Sequence, residues 1–196
     1  HQETQALRFF ALILLASTLL VGCTTTPSRP LPARQEIGNF ALEARFALRV
    51  NMPGETVQSS GGRLSWQQKD GLTRLLLSSP LGFGVAEIES TPGHAILRTA
   101  NGETRESDNP DNLLEQVTGQ RLPVSRLPDW LLGRSNEPAK IQRDFLGRPQ
   151  QMLDAGWQVD YAYDNDAADA LPSILKLNRN GEIELRLRIE EWKEAP

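Results

Sequence analysis

The chain has 196 residues, a formal net charge of −4, one cysteine (Cys23) and two histidines (His1 and His94). That length suits a single domain once a leading apolar segment is set aside. The mildly acidic balance, with no basic stripe, argues against a nucleic-acid partner. One thiol excludes an internal disulfide and a cysteine-based metal site, and two histidines thin out most zinc and hydrolase chemistry.

Residues 1–22 read as a secretory signal, with Arg8 ahead of an apolar run from Phe9 to Val21. No initiator Met precedes it, so the start is taken as clipped or replaced. The run ends Leu20-Val21-Gly22-Cys23, which resembles the bacterial lipobox. In that motif the small residues admit the peptidase to the bond after Gly22, and the Cys23 thiol takes a diacylglycerol. A short transmembrane anchor with an incidental Cys is the other reading, but the run is short for a span of about 20 residues. Residues 23–36 then form the lipidated Cys and a flexible tether, rich in Thr and Pro and expected to be extended. Thr24, rather than Asp, follows the cysteine, and by resemblance this implies export to the outer membrane.

The domain over 37–196 opens with a clean alternation. Phe40, Leu42, Ala44, Phe46, Leu48 and Val50 share one face, which makes 40–50 a half-buried strand. A second strand runs over 57–67, where Gly61-Gly62 predicts a bulge or bend. Strands follow at 72–79, 83–90, 94–100 and 103–107, the last two flanking the hairpin signal Asn101-Gly102. Asn109 then predicts a helix cap with Pro110 at the first position, and Leu113, Leu114 and Val117 form its apolar face. A second short helix is expected from Ser125, with Leu127, Trp130 and Leu131 on one side and a stop at Gly133. Strands resume at 139–143, 150–153, 157–163, 173–178 and 182–192, and Glu190-Glu191 reads as a strand edge meeting solvent.

The expected fold class is mainly β, with about ten short antiparallel strands interrupted once by short helices. Such a sheet covers its apolar face most simply by curling around the helices, and its interior is then either packed or a cavity. Phase and helix face nominate Phe46, Leu48, Leu64, Trp66, Leu77, Ile88, Trp130, Trp157, Leu185 and Leu187 as the lining of such a cavity. No inward polar constellation accompanies them, so a ligand there would be oily.

One turn stands out. After the strand Leu75-Leu76-Leu77-Ser78-Ser79 come Pro80, Leu81, Gly82, Phe83 and Gly84. Pro80 ends the strand, and the glycines allow a sharp bend, yet Leu81 and Phe83 occupy positions where polar residues are usual. Pattern alone leaves two readings open: the loop folds back to cap the core, or it holds its apolar side chains outward.

Catalytic signals are weak. No Gly-x-Ser-x-Gly or His-Glu-x-x-His motif occurs, and Gly82-Phe83-Gly84 lacks what a phosphate loop needs. His94 reads as a turn histidine. Asp164, Asp166 and Asp169 resemble the start of a calcium loop, but Asp169 and Leu175 stand at its sixth and twelfth positions in place of Gly and Glu. The expectation is a protein that is not an enzyme and carries no cofactor or metal.

The ordered set Glu43-Ala44-Arg45-Phe46, Leu64-Ser65-Trp66, Leu75 to Gly82, Thr118-Gly119, Leu122-Pro123, Trp130-Leu131-Leu132-Gly133, Gly156-Trp157 and Trp192 resembles the LolB family of outer-membrane lipoprotein receptors along essentially the whole chain. Ala44 departs mildly from the Gly of many relatives. The resemblance implies an incomplete, strongly curved antiparallel β-barrel with a helical lid around a hydrophobic cavity, a fold shared with the periplasmic carrier LolA. It implies that this monomer, held on the periplasmic face of the outer membrane through Cys23, accepts acylated lipoproteins from a LolA-like carrier. Those lipoproteins would then enter the inner leaflet of the outer membrane. It assigns membrane insertion to the loop Pro80, Leu81, Gly82 and Phe83, with Leu81 protruding. The competing expectation is a scaffold lipoprotein with a solid core that binds a partner through a sheet edge.

Overall fold

The computed structural model describes residues 34–82, 84–135 and 140–196. The signal segment, Cys23 and most of the tether lie outside the described residues, and so does Phe83. After a single 3-10 turn (Arg34–Glu36), six strands run in succession: β1 (Phe40–Val50), β2 (Gln58–Lys69), β3 (Leu72–Ser78), β4 (Gly84–Thr91), β5 (His94–Thr99) and β6 (Thr104–Ser107). Helices α1 (Pro110–Thr118) and α2 (Leu127–Leu131) follow. The chain then returns to strands β7 (Lys140–Arg143), β8 (Pro149–Asp154), β9 (Trp157–Ala162), β10 (Ile174–Arg179) and β11 (Ile183–Lys193).

All eleven described strands belong to one antiparallel sheet in the order β6-β5-β4-β3-β2-β1-β11-β10-β9-β8-β7. Two meanders, β1–β6 and β7–β11, are therefore joined at the β1–β11 pair. Strands β6 and β7 remain unpaired with each other at the two margins, so the barrel is not closed. Between those margins, in chain order, lie α1 and α2.

Sequence alternation becomes burial alternation. In β11, Ile183, Leu185, Leu187 and Ile189 are buried while Glu184, Arg186, Arg188 and Glu190 face water. The inward residues form one continuous apolar core shared by both meanders and the helices. Turn chemistry follows expectation where φ must be positive: Gly102 closes the β5–β6 hairpin at φ 89°, and Asn180-Gly181 closes β10–β11.

Three details differ from the sequence reading. First, β2 carries no bulge at Gly61-Gly62; its pairing with β1 runs unbroken from Phe40–Gln68 to Val50–Gln58. These glycines serve close approach instead. A Cβ on Gly62 would stand 2.2 Å from the Ser78 carbonyl oxygen and 3.0 Å from the Phe46 ring. Second, Glu190-Glu191 is no strand edge. It lies in the central pair, where Glu43 faces Glu191 and Ala44 faces Ile189, leaving Glu190 as the extra residue of a bulge. The bulge resets the phase, so Trp192 turns inward, packs against the Phe40 ring at 5.6 Å and donates its indole N–H to the Pro172 carbonyl at 2.9 Å. Third, α2 begins at Leu127 rather than Ser125. The Ser125 N–H and hydroxyl both bond the Asp111 carboxylate, at 2.8 and 2.9 Å, which ties the two helices together.

Helix α1 forms as read. The Asn109 side chain accepts from the Asp111 N–H, and Gly119 in the left-handed region returns its N–H to Glu115. Helix α2, only five residues long, needs tertiary anchors. The Trp130 indole N–H donates to Asp154 Oδ2 at 2.8 Å, and the Tyr161 hydroxyl donates to the Trp130 carbonyl at 2.6 Å. Ser135 also donates to Asp154, at 2.6 Å. Burial pushes the Tyr161 phenol far above its usual range, so it remains a donor. We expect Asp154→Ala to cost about 3 kcal/mol in urea unfolding, because it strands buried donors rather than merely deleting a contact. A loss under about 1 kcal/mol would show that the helix is held by apolar packing alone.

Candidate acyl-chain cavity

The concave face of β1–β4 and β11 does not meet the helices everywhere. Between them lies a cavity of about 440 Å³. Its floor is Phe46, Leu48, Leu64, Leu77, Leu185 and Leu187, and its roof is Leu114 and Val117 of α1, Leu122 and Val124 of the connection, and Leu127 at the start of α2. An apolar void of roughly 150 Å³ already admits a benzene-sized guest, and ligand pockets generally measure 300–1,000 Å³. Among the described residues the walls hold no charged side chain. Polarity is confined to Gln58, Ser59, Ser60, Ser78, Ser79 and Thr118.

Six of the ten residues nominated from the sequence line this space: Phe46, Leu48, Leu64, Leu77, Leu185 and Leu187. The other four do not; they are packed elsewhere in the core. Trp66, 1% exposed, sits between its cross-strand neighbours Leu42 and Leu75, and Ile88 lies between Leu75 and Leu97. Trp130 is the anchor of α2 described above, and the Trp157 ring lies under the Arg179 guanidinium at 5.3 Å. Strand phase tells which way a side chain points; whether it meets a neighbour or a void depends on the opposite wall. The roof residues were missed. The helical faces Leu113, Leu114, Val117 and Leu127, Trp130, Leu131 were a usable signal for three of them, whereas Leu122 and Val124 lie on an aperiodic connection.

The turn after β3 lies beside this space. The Gly82 N–H donates to the Ser79 carbonyl at 2.8 Å, which places Pro80 and Leu81 at its two central positions. Gly82 sits at φ 91°. Pro80 contributes to the cavity wall, while Leu81, one residue on, is 85% exposed. The returning strand β4 carries a bulge at Val85, which lies between the pairs Ser78–Gly84 and Leu77–Ala86. Such an irregularity re-aims the chain where the turn leaves the sheet.

Among the described residues, no group of three or more His, Cys, Asp or Glu is placed to hold a metal, and Asp164 is paired with Arg188 at 3.2 Å. His94 is exposed on its hairpin. Among the described residues, no helix is long and apolar enough to cross a membrane.

The family described as "Outer membrane lipoprotein LolB" matches residues 38–192. The chain is 59% identical over 184 residues to the outer-membrane lipoprotein LolB of Dechloromonas aromatica, covering 94% of this chain and 97% of that one. It is 33% identical to the LolB of Halorhodospira halophila, covering 93% of each. In fold it is similar to a solved domain from Vibrio parahaemolyticus, provisionally assigned to outer-membrane lipoprotein sorting. That likeness has a TM-score of 0.51 at 10% identity and covers 82% of this chain and 87% of the other.

Proposed function

The chain belongs to the LolB family of outer-membrane lipoproteins, and on that premise we propose that it receives lipoproteins by their acyl chains and passes them into the outer membrane. The observation that carries this reading is the apolar cavity whose wall runs through Pro80 into a turn that holds Leu81 out in solvent. One element thus touches both the acyl-chain compartment and the surroundings.

The energetics require such continuity. Releasing an acyl chain of about 15 methylenes into water costs on the order of 12 kcal/mol. A donor therefore holds its cargo until another apolar compartment is offered, and the acceptor's cavity supplies one. A LolA-like periplasmic carrier is the donor. The acceptor stands at the periplasmic face of the outer membrane, tied there by the lipid on Cys23. The final step moves the chains from the cavity into the inner leaflet alongside the Leu81 turn. No nucleotide is needed if each compartment holds the chains better than the one before. The protein's own lipid sets location and is not cargo.

The test is a soluble chain carrying Cys23→Ala, mixed with a lipoprotein-loaded carrier. Cargo is expected to move onto it, measured by co-purification, and the bound cargo should displace a fluorescent fatty-acid probe from the cavity. If the cargo stays on the carrier while circular dichroism shows an intact fold, the anchor takes part in the handover itself. If the probe never binds, the cavity is not an acyl-chain site.

A further inference from the structure

Among the described residues the most exposed large apolar side chain is not Leu81 but Phe145, at 90%. It sits on the β7–β8 turn, Asp144-Phe145-Leu146-Gly147, where the Gly147 N–H donates to the Asp144 carbonyl at 2.9 Å. The turn is held firmly. The Asp144 carboxylate accepts from the N–H groups of Leu146 and Arg148, at 3.0 and 2.9 Å, and from Arg148 Nε at 2.7 Å. Gln150 is the extra residue of a bulge just beyond it, between the pairs Arg143–Pro149 and Gln142–Gln151. The fold gains no packing from an aromatic ring held in water on so braced a turn.

The surroundings identify its counterpart. Arg148 stacks on the Tyr163 ring at 4.1 Å, and Arg34 approaches the same ring at 5.8 Å while donating to the Ala170 carbonyl. Arg34 belongs to the last residues of the 23–36 tether, and these pack at the Tyr163 ring on which Arg148, the residue after the turn, also stacks. Residues 24–33 let Arg34 stand at most about 40 Å from Cys23 when fully extended. Charge nearby is close to balanced. Arg34, Arg143 and Arg148 stand against Asp144, Asp166 and Asp169, the last two on the loop whose Asn165 and Ala167 carbonyls accept from Arg148. An approaching surface would be met by the ring rather than attracted by charge.

We propose that Phe145 is a membrane contact: the 144–147 turn rests its ring in the headgroup region of the bilayer that holds Cys23. This rests on the reading that Cys23 is lipidated. Aromatic rings favour that depth, where one edge is apolar and the other wet. Because the local charge is balanced, the contact forms on zwitterionic as well as anionic lipid.

The lipidated full chain tests this directly. Its Cys23 thiol is consumed by the lipid thioether, so Phe145→Cys offers a single thiol for an environment-sensitive fluorophore. In vesicles of phosphatidylethanolamine and phosphatidylglycerol, the label at 145 is expected to shift to the blue. Doxyl-labelled lipid should quench it, and iodide should reach it several-fold less than a label at Lys176→Cys, on the outward face of β10. Iodide access at 145 equal to that at 176 overturns the proposal. Shielding that needs a carrier protein, or that grows with protein concentration without vesicles, assigns the ring to a protein partner and overturns it too. A parallel label at Leu81→Cys reports on the other turn. Loss at 145 with shielding at 81 therefore sinks only this inference, and the reverse sinks only the insertion role of Leu81.

Discussion

Leu81→Glu is expected to leave the fold and cargo uptake intact while discharge into vesicles falls on the order of 100-fold. The residue is 85% exposed and makes no core contact, so stability should stay within about 0.5 kcal/mol of the parent. The loss arises at the membrane. An aliphatic tip gains by leaving water, a carboxylate loses, and the difference of several kcal/mol acts only on the step in which the turn meets lipid. The measurement is paired: transfer from a loaded carrier to the protein, and transfer from the loaded protein to vesicles. If the first step fails along with the second, the turn takes part in acceptance. Normal discharge would remove Leu81 from the mechanism.

Val117→Trp is the complementary change. Val117 lies on α1 facing the cavity and is only half-buried, so a larger side chain can grow into the void without overpacking the core. Stability should hold or rise slightly. Affinity for a fatty-acid probe should fall at least about tenfold, because the indole occupies volume the chain needs. A stable variant with unchanged probe affinity would place the acyl site elsewhere.

Most of the sheet was legible because its signals are local. The alternation in residues 40–50 and 183–189, the Asn101-Gly102 and Asn180-Gly181 turns and the Asn109 cap each fix a backbone conformation without reference to the rest of the chain. What was not legible depends on a second strand. Glu190 reads as an edge residue because alternation breaks there; only its opposition to Glu43 and Ala44 shows the break to be a bulge. Gly61-Gly62 reads as a bulge or bend; that no bulge forms there, and that the Phe46 ring and the Ser78 carbonyl occupy the space where a Cβ on Gly62 would stand, shows only against the neighbouring strands. The cavity divides the same way. Inward phase found Leu64 and Leu187, but it equally nominated Trp66 and Trp130, whose opposite walls are filled. The Phe145 turn went unremarked because Asp-Phe-Leu-Gly-Arg is unexceptional turn chemistry; its exposure appears only in three dimensions.

The placement of β1 against β11 has a kinetic corollary. The β1–β11 seam unites the first described strand with the last, so neither meander acquires its full interior until residues 183–193 have been made. Nine of the ten strand pairs join neighbours in sequence; this one pairing spans the domain, and closing so long a loop is the slow part of assembly. A chain cut short before residue 183 would present β1 and β10 as raw flanks ready to stick to other chains. The joining of the two meanders thus waits on β11, the last of the described strands.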